Sequence, residues 1–99
     1  MTVLLEVQLR ADLPADEVET AIRATLAQTR AFPGNESLEV IVEDADPQHV
    51  VVVERWATAA DHSAYVAWRA TPEGAARELA SVIAGPPSTR TFDRSITLD

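Results

Sequence analysis

The chain has no cysteine, which excludes a disulfide scaffold, a thiol nucleophile and a zinc–thiolate site together, and leaves the redox compartment open. Aromatic residues are scarce, with two tryptophans, one tyrosine and two phenylalanines in 99 residues. Basic residues are outnumbered eight to sixteen, for a net charge of −8. A surface that negative repels phosphate backbones and anionic lipid, so neither nucleic acid nor a membrane is an expected partner. No apolar run approaches the length that spans a bilayer, and no basic-then-apolar start resembles a signal peptide, so the cytoplasm is the expected compartment. No Gly-x-Gly-x-x-Gly, P-loop or Gly-x-Ser-x-Gly occurs, which leaves nucleotide binding and serine hydrolase chemistry without support.

What is present reads as one soluble α+β domain over residues 1–99, a length ordinary for a single core. Residues 3–10 alternate as a strand, with Val3, Leu5, Val7 and Leu9 on one face. Asp12 offers an N-cap oxygen, Pro14 suits a first helical turn, and Asp16, Glu17 and Glu19 oppose the helix dipole. Val18, Ile22, Leu26 and Thr29, with Ala21 and Thr25, form a helical stripe that Pro33-Gly34 stops near Ala31. Leu38, Val40 and Val42 alternate with Glu39, Ile41 and Glu43 as a second strand. Asp46-Pro47 turns the chain into a third, Val50 to Trp56. Thr58 and Asp61 resemble a capping box that opens a helix to about Arg69. Thr71-Pro72 predicts a further helix with Ala75, Leu79, Val82 and Ile83 inward, ended by Gly85-Pro86. Residues 91–98 predict a last strand.

The order β-α-β-β-α-β with right-handed crossovers is the ferredoxin-like arrangement. One sheet face takes the helices. The other would carry Leu4, Ile41 and one side of Val50–Val53, too apolar for water, so a second copy of the sheet is expected over it in a homodimer.

Chemistry-bearing residues concentrate between positions 56 and 68, where Trp56, His62, Tyr65 and Trp68 stand among Ala60, Ala64 and Ala67. Large rings beside small alanines fit a cleft for a flat apolar ligand, and equally a core in which the rings fill space. The acidic residues Glu36, Glu39, Glu43, Asp44 and Asp46 read as a solvated strand face and turn without calcium-loop spacing. No His and carboxylate set has metal-ligand spacing.

Phe32-Pro33-Gly34, the Asp-Pro hairpin, Glu54-Arg55-Trp56 entering a helix, Trp68 shortly before Thr71-Pro72, and Gly85-Pro86 before a last strand occur in an order that resembles the antibiotic biosynthesis monooxygenase (ABM) family. The likeness spans essentially the whole chain. It implies a dimeric α/β barrel of two sheets packed face to face, with a pocket in each subunit between sheet and helices. It also implies a small-molecule substrate and, in the branch that oxygenates polyketide anthrones, no cofactor. Trp56 matches that branch's strand tryptophan, Val52 stands where it has a strand asparagine, and His62 stands where it has a helix tyrosine. Arg77 falls near its last-helix arginine. In the haem-degrading branch Trp68 fits a helix tryptophan, but Val7 and Glu78 replace an asparagine and the axial histidine, so haem is not expected.

The resemblance therefore implies a cofactor-independent monooxygenase of a flat aromatic molecule. In that reading His62 is the base, Trp56, Tyr65 and Arg77 are oxyanion donors, and Trp68 with Val52 lines the substrate. An isomerase of a small carbonyl metabolite and a non-catalytic ligand-binding or stress-related dimer remain alternatives.

Overall fold

A computed structural model describes all residues, 1–99. The period-two pattern of the first segment becomes strand β1 (Thr2–Gln8), and the valine run becomes β3 (His49–Trp56), its antiparallel neighbour with Leu5 opposite Val52. β2 (Asn35–Val42) pairs with the other edge of β3, placing Leu38 opposite Glu54 and Val40 opposite Val52. β4 (Ser88–Phe92) pairs with β1 and completes one sheet of order β2-β3-β1-β4. Each crossover skips one strand, so helix α1 (Ala15–Ala31) links β1 to β2 across β3, and α2 (Ala59–Arg69) with the short α3 (Arg77–Ala80) links β3 to β4 across β1. This is the α+β, ferredoxin-like topology anticipated from the sequence.

The helices lie on one face of the sheet. Val7, Leu9 and Val50 from the strands, Val18 from α1, and Leu79 and Val82 from the α3 region form the buried cluster, with Leu5, Ile22 and Ile83 packed against it. The alternation that made β1 legible therefore decides which side meets the helices, because neighbouring side chains on a strand point to opposite faces. On the far face Val51 and Val53 stay half-buried and Ile41 and Phe92 are exposed in the single chain. No helix is long and apolar enough to cross a membrane.

Three local expectations are corrected. Asp12 does not cap α1: Pro14 itself takes the cap position with extended backbone, and Asp12, two residues too early, pairs with Arg10 at 2.7 Å. Thr71-Pro72 does not start a helix. The Thr71 hydroxyl instead donates to the Trp68 carbonyl at 2.7 Å and accepts from the Gly74 amide at 3.1 Å, closing α2 in a turn. Gly74 passes so close to Trp68 that an added Cβ would overlap its carbonyl, and only four residues farther on become helical. The last strand comes early, at Ser88–Phe92, which leaves Ile96 and Leu98 at 73% and 89% exposed.

Candidate active site

The β3 valine alternation continues past Val52, so Glu54 and Trp56 share its helix-facing side. Trp56 is fully enclosed, a burial that removes roughly 150–250 Å² from water. Glu54 is 3% exposed, and its Oε1 accepts a 2.9 Å hydrogen bond from the Trp56 indole N–H. Burial pushes the Glu54 carboxyl above its ordinary range, opposed by that indole bond and by the positive charge of Arg69.

Helix α2 brings the other rings. Thr58 caps it, its hydroxyl accepting from the Asp61 amide at 3.1 Å, as the Thr58–Asp61 spacing predicts. The cap sits against the Phe32-Pro33-Gly34 turn, where Gly34 takes φ 91° and an added Cβ would overlap the Asp61 side chain. That docking lowers His62 onto the Trp56 ring at 5.5 Å and Tyr65 onto it at 5.0 Å. Phe32 meets Tyr65 edge-on at 5.4 Å and lies 5.5 Å from Trp68. His62 is 8% exposed, and burial, with no charged neighbour or hydrogen bond to offset it, pushes the imidazole below its ordinary value.

Arg69 locks the assembly. Its Nε donates to the Tyr65 hydroxyl at 2.8 Å, one terminal nitrogen donates to Gln28 Oε1 and the Gly74 carbonyl, and the other donates to the Thr25 carbonyl and Thr29 Oγ1. All five guanidinium N–H groups are thereby used, and every acceptor is neutral. The guanidinium also lies 4.8 Å above the Trp68 ring. The Tyr65 hydroxyl is further bonded to Thr29 at 2.8 Å.

The sequence profile of the antibiotic biosynthesis monooxygenase family matches residues 1–77, which include every one of these groups. The chain belongs to the antibiotic biosynthesis monooxygenase family. No curated protein matches the sequence. Among solved structures, SnoaB, a cofactor-independent oxygenase from Streptomyces nogalater, is 15% identical with a TM-score of 0.72 over 96% of this chain and 94% of that one. A conserved protein from Methanosarcina mazei Go1 is 11% identical with a TM-score of 0.76 over 95% and 91%. Rv0793 from Mycobacterium tuberculosis is 16% identical with a TM-score of 0.74 over 99% and 97%. At these identities the likeness establishes the fold.

Within this ABM domain the structure sorts the sequence candidates. Trp56, His62, Tyr65 and Trp68 come together as one nest of rings, and Val52 lies buried beside it on β3. Two donor roles are displaced, because the Trp56 N–H serves Glu54 and the Tyr65 hydroxyl serves Thr29 and Arg69. Arg77 is exposed on α3 and donates to the Pro72 carbonyl; the arginine that meets the rings is Arg69. Behind Trp56 the rings pack against one another at centroid distances of 5.0–6.3 Å. Two cavities open along α1, and none of these ring residues lines them. One of about 340 Å³ is lined by Leu26, Arg30, Leu38 and Val40, and one of about 540 Å³ runs past Val18, Val42 and Val50, with Ile22, Arg23 and Val40 common to both. Sequence reasoning passed over Glu54 and Arg69. The signal for Glu54 was available, since it stands two residues from both Val52 and Trp56 on the buried side of the strand. Helical spacing puts Arg69 on one face with His62 and Tyr65, four residues on from Tyr65, but its other partners lie on α1 and on the turn at Gly74, which no local spacing reports.

Proposed function

We propose that the chain is a cofactor-independent monooxygenase of a flat aromatic, polyketide-like small molecule, working as a homodimer. One observation carries the reading: the two groups whose titration burial moves most, Glu54 and His62, both abut Trp56, one by hydrogen bond and one by ring contact. Burial raises the Glu54 carboxyl and leaves the His62 imidazole uncharged near pH 7, so a proton acceptor stands inside an apolar nest. Membership of the family, and a fold shared with the oxygenase SnoaB, support oxygen as the co-substrate.

In this reading the neutral His62 imidazole takes a proton from a ring methylene flanked by carbonyl-bearing rings. The carbanion combines with dioxygen, and the imidazolium returns its proton to give a hydroperoxide. Loss of the second C–H proton as the O–O bond breaks leaves a carbonyl and water, so one dioxygen is consumed for each methylene oxidised. Arg69, whose hydrogen bonds all go to neutral acceptors, contributes a positive field, felt also by the Glu54 carboxyl, that favours the intermediate anion.

Incubating the protein with an anthrone and following quinone formation and oxygen uptake, without added cofactor, tests this. Uptake matching quinone one for one, and lost by 10²-fold or more in His62→Ala, is the expected result. No uptake by the wild type overturns the reaction. The tight mutual packing of the rings favours one other reading, a binding protein without catalysis, which retains ring affinity and consumes no oxygen.

A further inference from the structure

Helix α1 carries two stripes. Val18, Thr25 and Thr29 are buried, whereas Arg23, Leu26, Ala27 and Arg30 recur beside them at i, i+3, i+4 and i+7 and stay open to water in whole or in part. The second stripe meets the outer strand β2. Register puts Leu38, Val40 and Val42 on the helix side of the sheet, opposite Glu54, Val52 and Val50. The helices cover β3 and leave β2 bare, since Val50 and Val52 are buried while Val40 and Val42 are 37% and 56% exposed. The bare strip is the floor of a groove. Its two cavities, of about 340 and 540 Å³, have Ile22, Arg23 and Val40 in common and so adjoin as one channel. The helical lining runs from Ala15 to Arg30, about 22 Å along the axis.

Three arginines stand on this channel in a chain of net charge −8. Arg10 is held by Asp12 through two hydrogen bonds, and Arg23 by Glu19 at 2.9 Å. Arg30, in the last turn of α1, takes part in no ion pair or hydrogen bond. Of the acids at the rim, Glu19 is occupied by Arg23, and Glu39 belongs to the other face of β2, opposite Val53. We infer that the channel binds a straight-chain carboxylate, with its chain along Leu26, Leu38, Ile22 and Val40 and its head group on Arg30. Burial of the chain supplies the affinity, and the channel's one free cation selects the head group. A compact ring would leave much of so long a channel wet. A polyanion meets the overall negative charge, whereas a single carboxylate in contact with Arg30 feels chiefly that one cation, because salt screens the more distant charges. The site is separate from the ring nest and independent of the reaction proposed there.

Calorimetric titration of the full chain at pH 7 with decanoate, decanol and decyltrimethylammonium, each below its micelle concentration, tests this. Decanoate is expected to bind about fivefold more tightly than decanol, the upper range of an ion pair open to water. The ammonium is expected to bind most weakly, against the order that the net charge would set. Arg30→Gln brings decanoate down to the affinity of decanol and leaves decanol unchanged. Ala27→Trp fills the channel and weakens both by tenfold or more. Both positions are exposed, so neither change removes a core contact. Methyl resonances of Leu26, Leu38 and Val40 shift with decanoate, and the indole N–H signals of Trp56 and Trp68 stay in place, since neither tryptophan lines the channel. No binding of decanoate, equal affinities for the three, tightest binding of the ammonium, an unchanged preference in Arg30→Gln, or shifts centred on the indoles each overturns the inference. A failed oxygenase assay leaves it standing.

Discussion

Burial treats three polar side chains here in three ways. The Thr25 hydroxyl is sealed without a partner, the Glu54 carboxylate is held by the Trp56 indole, and His62 packs between rings with no hydrogen bond from its imidazole. Thr25→Val removes the orphaned hydroxyl at nearly constant shape, so urea denaturation is expected to show a gain of about 1 kcal/mol. A loss of that size instead would show that the hydroxyl has a partner in solution. The two titrating groups pull stability in opposite directions. His62 is depressed in the fold, so below about 6.5 the unfolded chain binds a proton that the folded chain refuses, and stability falls as pH drops through that range. Glu54 is raised above its ordinary 4.5, so its contribution is present below that value and is lost as pH rises through its folded value. Melting curves against pH are therefore expected to show His62→Gln gaining on the wild type as pH falls from about 6.5, and Glu54→Gln gaining as pH rises from about 4.5. Curves parallel to the wild type would remove burial as the cause.

Among the elements, α2 is the one whose seat has most to do with function, and it is held at both ends. At its start Thr58 and Gly34 act together: the cap fixes where the helix begins, and the positive φ of Gly34 lets Asp61 approach. Thr58→Ala is expected to cost about 1 kcal/mol. Gly34→Ala should cost more, about 2 kcal/mol, since it meets both the left-handed backbone and the overlap with Asp61. At its end Arg69 ties α2 to α1 and to the turn at Gly74. Arg69→Lys keeps the charge but cannot reproduce a planar five-donor fork, so a loss of about 2–3 kcal/mol in denaturation is expected, with Tyr65 freed. A loss under about 0.5 kcal/mol would mean the clasp is replaceable by water. The cap was legible in the sequence because Thr and Asp are three residues apart. Asp12 misled because an Asp before a proline reads as a cap, while the backbone let Pro14 hold that place and left Asp12 to Arg10.

For the whole molecule, the uncovered sheet face decides the state of association. Leu4, Val51 and Val53 form its centre by ladder register, with Ile41 and Phe92 exposed beside them. Glu6 paired with Arg90, and His49 bonded to Glu43, mark its polar border. An apolar centre inside a polar border is the anatomy of a protein interface, which supports the homodimer. Sedimentation equilibrium is expected to give twice the chain mass, and Val53→Glu to give the monomer, because a charge at the centre cannot be solvated there. A monomeric wild type would remove the barrel.

The sequence by itself determined the strand faces, the order of elements and the place of the aromatic residues, because period-two and period-three-to-four patterns report directly which side of an element is dry. That was enough for the ferredoxin-like topology and for bringing Trp56, His62, Tyr65 and Trp68 to one end of the sheet. Only the tertiary structure decided what those residues have left to offer. The indole N–H is spent on Glu54 and the tyrosine hydroxyl on Thr29, the guanidinium that matters is Arg69 and not Arg77, and the open space lies along α1. Hydrogen-bond saturation and cavity shape depend on partners 36 to 44 positions apart in the chain, as between Tyr65 and Thr29 or Arg69 and Thr25, and no local pattern encodes them.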